Sequence, residues 1–126
     1  MIVKISFAFI LFFSPFVFAK EYRCGWLENP SPANYWLTDK DGEWTISTQG
    51  GHNAIGIEKL TDFPERDFVK TNGGYGYGCA CISSDVDNKN KKIINIYKFK
   101  ILKLETCKLD ESLNKKTDFL FNELNE

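Results

Sequence analysis

Four cysteines, a single histidine and a knot of carboxylates are the residues of this 126-residue chain best equipped for chemistry. A zinc site needs a Cys-x-x-Cys pair or histidine support. Here the central pair is Cys79-Ala80-Cys81 and His52 is the only imidazole, so no metal is expected. Nucleophilic catalysis needs a thiol or hydroxyl beside a base. His52 lies in the polar, glycine-rich run Gln49-Gly50-Gly51-His52-Asn53, which points to exposure rather than to a buried dyad. Asp39, Asp41 and Glu43 could act as acid and base only if a cleft held them at a fixed separation. They crowd one tight turn instead, where aspartate is favoured for turn geometry alone. An EF-hand starting two residues upstream would need an acidic ligand at position 37 and Glu at 48, which are Leu37 and Thr48. The glycines of Gly73-Gly74-Tyr75-Gly76-Tyr77-Gly78 are not followed by the Lys-Ser/Thr of a phosphate loop. The chain is therefore expected to be no enzyme and to need no cofactor.

The compartment follows from the N-terminus and the cysteines. Lys4, the apolar run Ile5 to Phe13, the break at Ser14-Pro15 and Val17-Phe18-Ala19 form the parts of a secretory signal peptide over residues 1–19, cut near Ala19. The run is short for a spanning helix, and no cysteine follows the cut directly, so no stable membrane anchor or lipid anchor is expected after cleavage. Removing Lys4 from the 16 basic residues leaves 15 against 17 acidic ones, with no basic stripe to suggest nucleic acid. An even number of cysteines in an oxidising compartment predicts two disulfides. A bridge between Cys79 and Cys81 would be a strained ring, which leaves two pairings. A hairpin centred near residue 89 sets Cys81 opposite Tyr97 and Cys79 opposite Phe99. That register favours Cys24–Cys81 with Cys79–Cys107 over the alternative pairing of Cys24–Cys79 with Cys81–Cys107. Thiol exchange at Cys79 and Cys81 is the redox alternative to a structural role.

The elements that hold these residues read mostly as strands. Tyr22 to Leu27 carries Cys24 and Trp26 on a short first strand, and Asn29-Pro30-Ser31-Pro32 is expected to be a turn or extended linker. Asn34 to Thr38 and Glu43 to Thr48 form a hairpin around Asp39-Lys40-Asp41-Gly42, with Gly42 taking the positive φ. Tyr35, Leu37, Trp44 and Ile46 share one face and Trp36 stands on the other. Residues 49–67 form a long loop, pinned by Ile55, Ile57, Leu60 and Phe63. Tyr75 to Ser83 is the central strand, with Tyr75, Tyr77, Cys79 and Cys81 on one face and the small residues Gly76, Gly78 and Ala80 on the other. Lys92 to Leu104 is the longest strand signal, but its alternation changes phase, so a β-bulge is expected near Lys98 to Leu102. Asp110 could cap a short C-terminal helix with Leu113, Leu120 and Leu124 on one face. The predicted architecture is mainly β: a small antiparallel sheet or barrel-like domain over residues 20–126, stapled by two disulfides, with residues 108–126 as a helical tail.

The aromatic residues supply the candidate contacts. Most fill the core of so small a β-domain, but Trp36, off the apolar face of its hairpin, suits a surface anchor. Trp36, Asp39, Asp41, Gln49, His52, Asn53, Tyr75 and Tyr77 are the candidate partner-binding residues. The blocks Cys24-Gly25-Trp26-Leu27-Glu28-Asn29-Pro30, WLTDKDGEW from Trp36 to Trp44, Gln49-Gly50-Gly51, and KTNGGYGYGCAC from Lys70 to Cys81 resemble a family of small exported bacterial proteins of unknown function. The resemblance covers roughly Tyr22 to Cys107. It implies a periplasmic or secreted setting in a Gram-negative bacterium, and carries no catalytic role. By size, export and disulfides the chain is also similar in style to periplasmic lysozyme inhibitors and immunity proteins, an analogy of class. The expected function is a non-enzymatic binding protein, an inhibitor or immunity-type partner of a cell-envelope or incoming lytic enzyme. A glycan- or peptidoglycan-binding module is the alternative, ahead of a small hydrolase or thiol oxidoreductase.

Overall fold

A computed structural model describes residues 20–113. Residues 1–19, where the sequence reading expects a signal peptide, and the tail positions Leu120 and Leu124 lie outside them. Six strands follow one another: β1 (Lys20–Ser31), β2 (Asn34–Asp39), β3 (Gly42–Ser47), β4 (Phe68–Asn72), β5 (Tyr75–Asp87) and β6 (Lys92–Leu102), then the short helix α1 (Leu104–Lys108). Their order is β1-β2-β3-β6-β5-β4, with a further pairing of β1 on β5. That pairing runs from Lys20 opposite Asp85 to Asn29 opposite Gly76 and closes β1, β2, β3, β6 and β5 into a barrel, leaving β4 as an edge strand. Barrel closure removes the exposed ladder edges that would otherwise invite association. The strand order is also that of the five-stranded Greek-key barrel known as the OB-fold, a likeness of topology that by itself assigns no ligand.

Each of the five barrel strands has one face inside the barrel. Leu27, Leu37, Trp44, Ile46, Ala80, Ile82, Val86, Ile93 and Ile96 meet there as one buried cluster, with Ala54 contributed by the long loop. The outer face of β1 and β5 carries a second cluster, Trp26, Tyr77 and Cys79, covered by Leu104 and Cys107 of α1 and by Leu113. Trp26 and Tyr77 meet edge to face at 5.3 Å. Burial, with Glu28 adding to it, pushes the Tyr77 phenol up to about 12. A tyrosine in the unfolded chain ionises near ~10. The stability tied to the neutral phenol is therefore complete below about pH 10 and is lost as the pH rises through the folded value. That loss is on the order of 2 kcal/mol. Urea unfolding at about pH 8 and about pH 11 is expected to show a smaller alkaline loss for Tyr77→Phe than for the natural chain. Equal losses would mean that Tyr77 ionises as freely when folded as when unfolded.

The β2–β3 hairpin forms as expected around Asp39 to Gly42, with Gly42 at φ 124°. Asp39 starts the turn by accepting from the Asp41 N–H at 2.9 Å. Elsewhere the chain corrects the reading of its sequence. Asn29-Pro30-Ser31 is not a linker but the end of β1. Proline is tolerated because the β1–β2 register breaks between Glu28 and Ser31, where no ladder donor is required. Strand β6 carries two irregularities rather than one, opposite Ser83/Ser84 and Asp85/Val86. Ile93, Ile96 and Phe99 thereby all reach the core at a spacing of three, which the period-two reading could not accommodate. The two irregularities, together with a turn set one residue further along, put Cys79 opposite Leu102 and Cys81 opposite Lys100, three residues along from the expected register. Leu104 leaves the strand and opens α1, so Cys107 sits on a helix. Asp110 caps a single 3-10 turn through the Ser112 N–H at 3.0 Å.

The two bridges are Cys24–Cys81 and Cys79–Cys107. The first joins directly opposed residues of β1 and β5; the second straps α1 to the outer face of β5. Ile55, expected to pin the long loop through its side chain, is 69 % exposed. It works through its backbone instead. Its N–H donates to the Ile94 carbonyl at 2.9 Å and its carbonyl accepts from the Ile96 N–H at 2.7 Å. With Ala54 N–H bonded to the Ile46 carbonyl, this segment fills the seam where β3 and β6 touch only at Thr45 and Lys92. No helix among the described residues is long and apolar enough to cross a membrane.

Candidate functional site

The two ends of the barrel differ. Arg23 and Asn29 are six positions apart on β1, about 20 Å of strand, and mark those ends. At the first, Arg23 lies over the Trp44 ring with its guanidinium carbon 3.8 Å from the centroid, and Lys91 also lies over that ring at 4.3 Å. Arg23 donates to Asp39 at 2.8 Å, to Asp41 at 3.0 Å and to Glu21 at 2.7 Å. Trp44 Nε1 donates to the other Asp39 oxygen at 2.9 Å. This end is plugged.

The other end is open. A cleft of about 460 Å³ lies among Leu27, Asn29 and Tyr35 of the barrel, Leu60 to Phe63 and Glu65 of the long loop, Phe68 and Lys70 of β4, and Gly74. Its walls are held rigidly. Phe63 stacks on Phe68 at 5.6 Å and meets Phe99 edge-on at 6.1 Å. It also lies flat on Gly78, where an added Cβ would come within 2.5 Å of its ring. The small face of β5 is thus occupied by the chain's own phenylalanine. Asn29 donates its amide to the Ser31 carbonyl at 2.9 Å and the Asn34 carbonyl at 2.8 Å, fixing the β1–β2 turn at the rim. Burial first, then the charge of Asp62 and the neighbouring Tyr75, pushes the Tyr35 phenol up from its ordinary value. The Tyr35 hydroxyl therefore keeps its proton at neutral pH and can both donate and accept. Rigid aromatic walls with a few polar groups at the rim are the ordinary make-up of a small-ligand or anchor-residue site.

The residues singled out from the sequence are dispersed over the molecule. Tyr75 is half-buried and follows Gly74 of the cleft lining, but is not itself part of that lining. Gln49 is exposed, its N–H tied to Asn34 Oδ1 at 3.0 Å. Asn53 is exposed and bridges Ser47 across the loop. His52 Nε2 lies 2.7 Å from the Ile93 carbonyl and donates to it, a structural tie that removes that nitrogen from catalytic use. Trp36 is half-buried on the outer face, opposite Glu28 and Thr45. Asp41 is exposed at the plugged end. Two of the candidates are spoken for by the fold: Asp39 is buried under Arg23 and Trp44, and Tyr77 is buried in the outer cluster. Asn29, Tyr35, Asp62, Phe63, Phe68 and Lys70 were not picked out as site residues. The one signal that bore on them was the glycine face of β5, whose occupant proves to be Phe63.

Among the described residues no group of three or more His, Cys, Asp or Glu is placed to hold a metal ion. All four cysteines are bridged, an arrangement compatible with an oxidising compartment outside the cytoplasm. No curated protein and no solved structure matches the chain. A family does: residues 18–114, most of the chain, match the family described as "Protein of unknown function (DUF4087)", and the chain belongs to that family.

Proposed function

We propose that the chain is a non-enzymatic binding protein of the bacterial cell envelope, exported by its N-terminal signal segment to the periplasm or beyond. Its barrel mouth would seat part of a protein partner. The observation that carries the reading is the mouth itself, a cleft of about 460 Å³ with aromatic walls locked by one another and by Gly78. A preformed site of this kind loses little conformational entropy on binding. The groups that could serve as catalysts are committed elsewhere: His52 to a backbone carbonyl, Asp39 to Arg23, and the thiols to disulfides. By class, an inhibitor or immunity-type partner of a wall-acting enzyme fits a small, rigid, cross-linked barrel. The glycan reading is the second one, favoured by the Phe68 ring of the same cleft, backed by Phe63.

The test is capture from envelope extract on the immobilised, oxidised protein, with Phe68→Ala and Trp36→Ala as companions. One stoichiometric, salt-resistant partner is expected, with capture falling about tenfold for Phe68→Ala and little changed for Trp36→Ala. Loss on Trp36→Ala alone would move the contact to the outer face. Sedimentation with peptidoglycan in place of protein capture would establish the glycan reading.

A further inference from the structure

We infer that the barrel mouth receives the cationic end of a lysine or arginine side chain from the partner protein, an inference that rests on the mouth being the binding site. The plugged end of the same barrel shows the chemistry. There a guanidinium lies on the Trp44 ring and is met by the Asp39 carboxylate at 2.8 Å. The mouth repeats that set of groups around an open cleft. Tyr35 and Phe68 line it with aromatic rings, whose faces attract cations through their quadrupole, while Phe63 is packed between Gly78 and Phe68. Asp62 supplies the carboxylate, and among the described residues it has no ion-pair partner. The one cation of the lining, Lys70, lies 3.9 Å from Glu65, so it offsets that carboxylate and leaves Asp62 uncompensated.

The donor side points the same way. The Asn29 amide N–H groups are spent on the Ser31 and Asn34 carbonyls, so only its oxygen remains to meet a guest. Tyr35 and Asp62 both line the cleft, so a cation seated on the phenol ring has the carboxylate within the same site. A rim rich in acceptors, one free carboxylate and aromatic walls suits a guanidinium or ammonium group with its alkyl stem better than it suits a carboxylate or phosphate. Arginine is also the charged residue most enriched among interface anchors.

The test uses defined probes on the oxidised protein, followed by amide chemical shifts. Nα-acetyl-arginine methylamide is expected to saturate a single site, moving the amides of Tyr35, Asp62 and Phe68. Its neutral isostere, the citrulline derivative, should bind about tenfold more weakly, and Asp62→Asn should weaken the arginine probe by a similar factor. Asp62 is exposed on a loop, so its replacement leaves the core intact. Equal binding of the arginine and citrulline probes would overturn the inference, as would saturation of the mouth by di-N-acetylchitobiose with no response to the arginine probe. The envelope partner separates this inference from the reading beneath it. Capture lost on Phe68→Ala but unchanged on Asp62→Asn keeps the mouth as the site and removes the cation.

Discussion

Replacing Gly25 by alanine is expected to destabilise the protein by about 3 kcal/mol, a large loss for a single methyl group. Gly25 lies on β1 opposite Ala80 of β5, in the stretch that closes the barrel. A Cβ at this position would stand 2.0 Å from the Thr38 carbonyl oxygen and 3.0 Å from the Asp39 Cα. Both are backbone atoms, so no side chain can swing aside. Relief requires β2 to move off β1, and that shifts Asp39 away from Arg23 and Trp44 as well. Gly74→Ala is the matched control, because its Cβ would meet nothing within 4 Å and its φ is ordinary. Urea titration should show Gly25→Ala with a markedly lower midpoint and Gly74→Ala close to the natural chain. Similar midpoints for the two would mean that β1 and β2 are not packed as closely as described.

Arg23→Met is expected to cost about 3–5 kcal/mol, the cost of stripping the partner from a buried charge. The side chain of Asp39 is 4 % exposed and that of Arg23 12 % exposed, so neither charge has water to fall back on. Asp39 would keep the Asp41 N–H and Trp44 Nε1 as donors but lose its counter-charge. Methionine preserves most of the stem that covers Trp44, so the loss reports mainly on charge. Adding Asp39→Asn to Arg23→Met is expected to recover a large part of the stability, since a neutral amide needs no counter-ion. The arms to Asp41 and Glu21 are more exposed and contribute little. A double variant no more stable than Arg23→Met alone would show that packing against Trp44, and not the ion pair, is what Arg23 supplies.

The local pattern of the chain was legible where the hydrogen-bond ladder is unbroken. Leu37, Trp44 and Ile46 alternate cleanly with their outward neighbours, so the β2–β3 hairpin and its inner face could be read directly. The pattern failed on β6. Two bulges there convert a period of two into a spacing of three, and nothing in Ile93-Ile94-Asn95-Ile96-Tyr97 announces which residue will be extruded. The disulfide pairing came out as favoured, although through a register three residues along and a helix in place of a strand end. The Cys24–Cys81 bridge depends on β1 lying along β5, a contact between residues 57 positions apart, and the Cys79–Cys107 bridge on α1 folding back over β5.

The amino-acid sequence by itself determined the strand-rich architecture, the turn at Asp39 to Gly42 and the cross-linking by two disulfides, because each follows from neighbours within a few residues or from counting cysteines. Only the tertiary structure decided that the sheet closes, that Ile55 mends the β3–β6 seam with its backbone, and that Arg23 plugs one end of the barrel. It alone also brings Tyr35, Asp62, Phe63 and Phe68 together at the other end. Those residues are scattered from β2 to β4, and no periodicity links them. What joins them is the removal of Phe63 from water onto Gly78, a contact that exists only once β5 is in place.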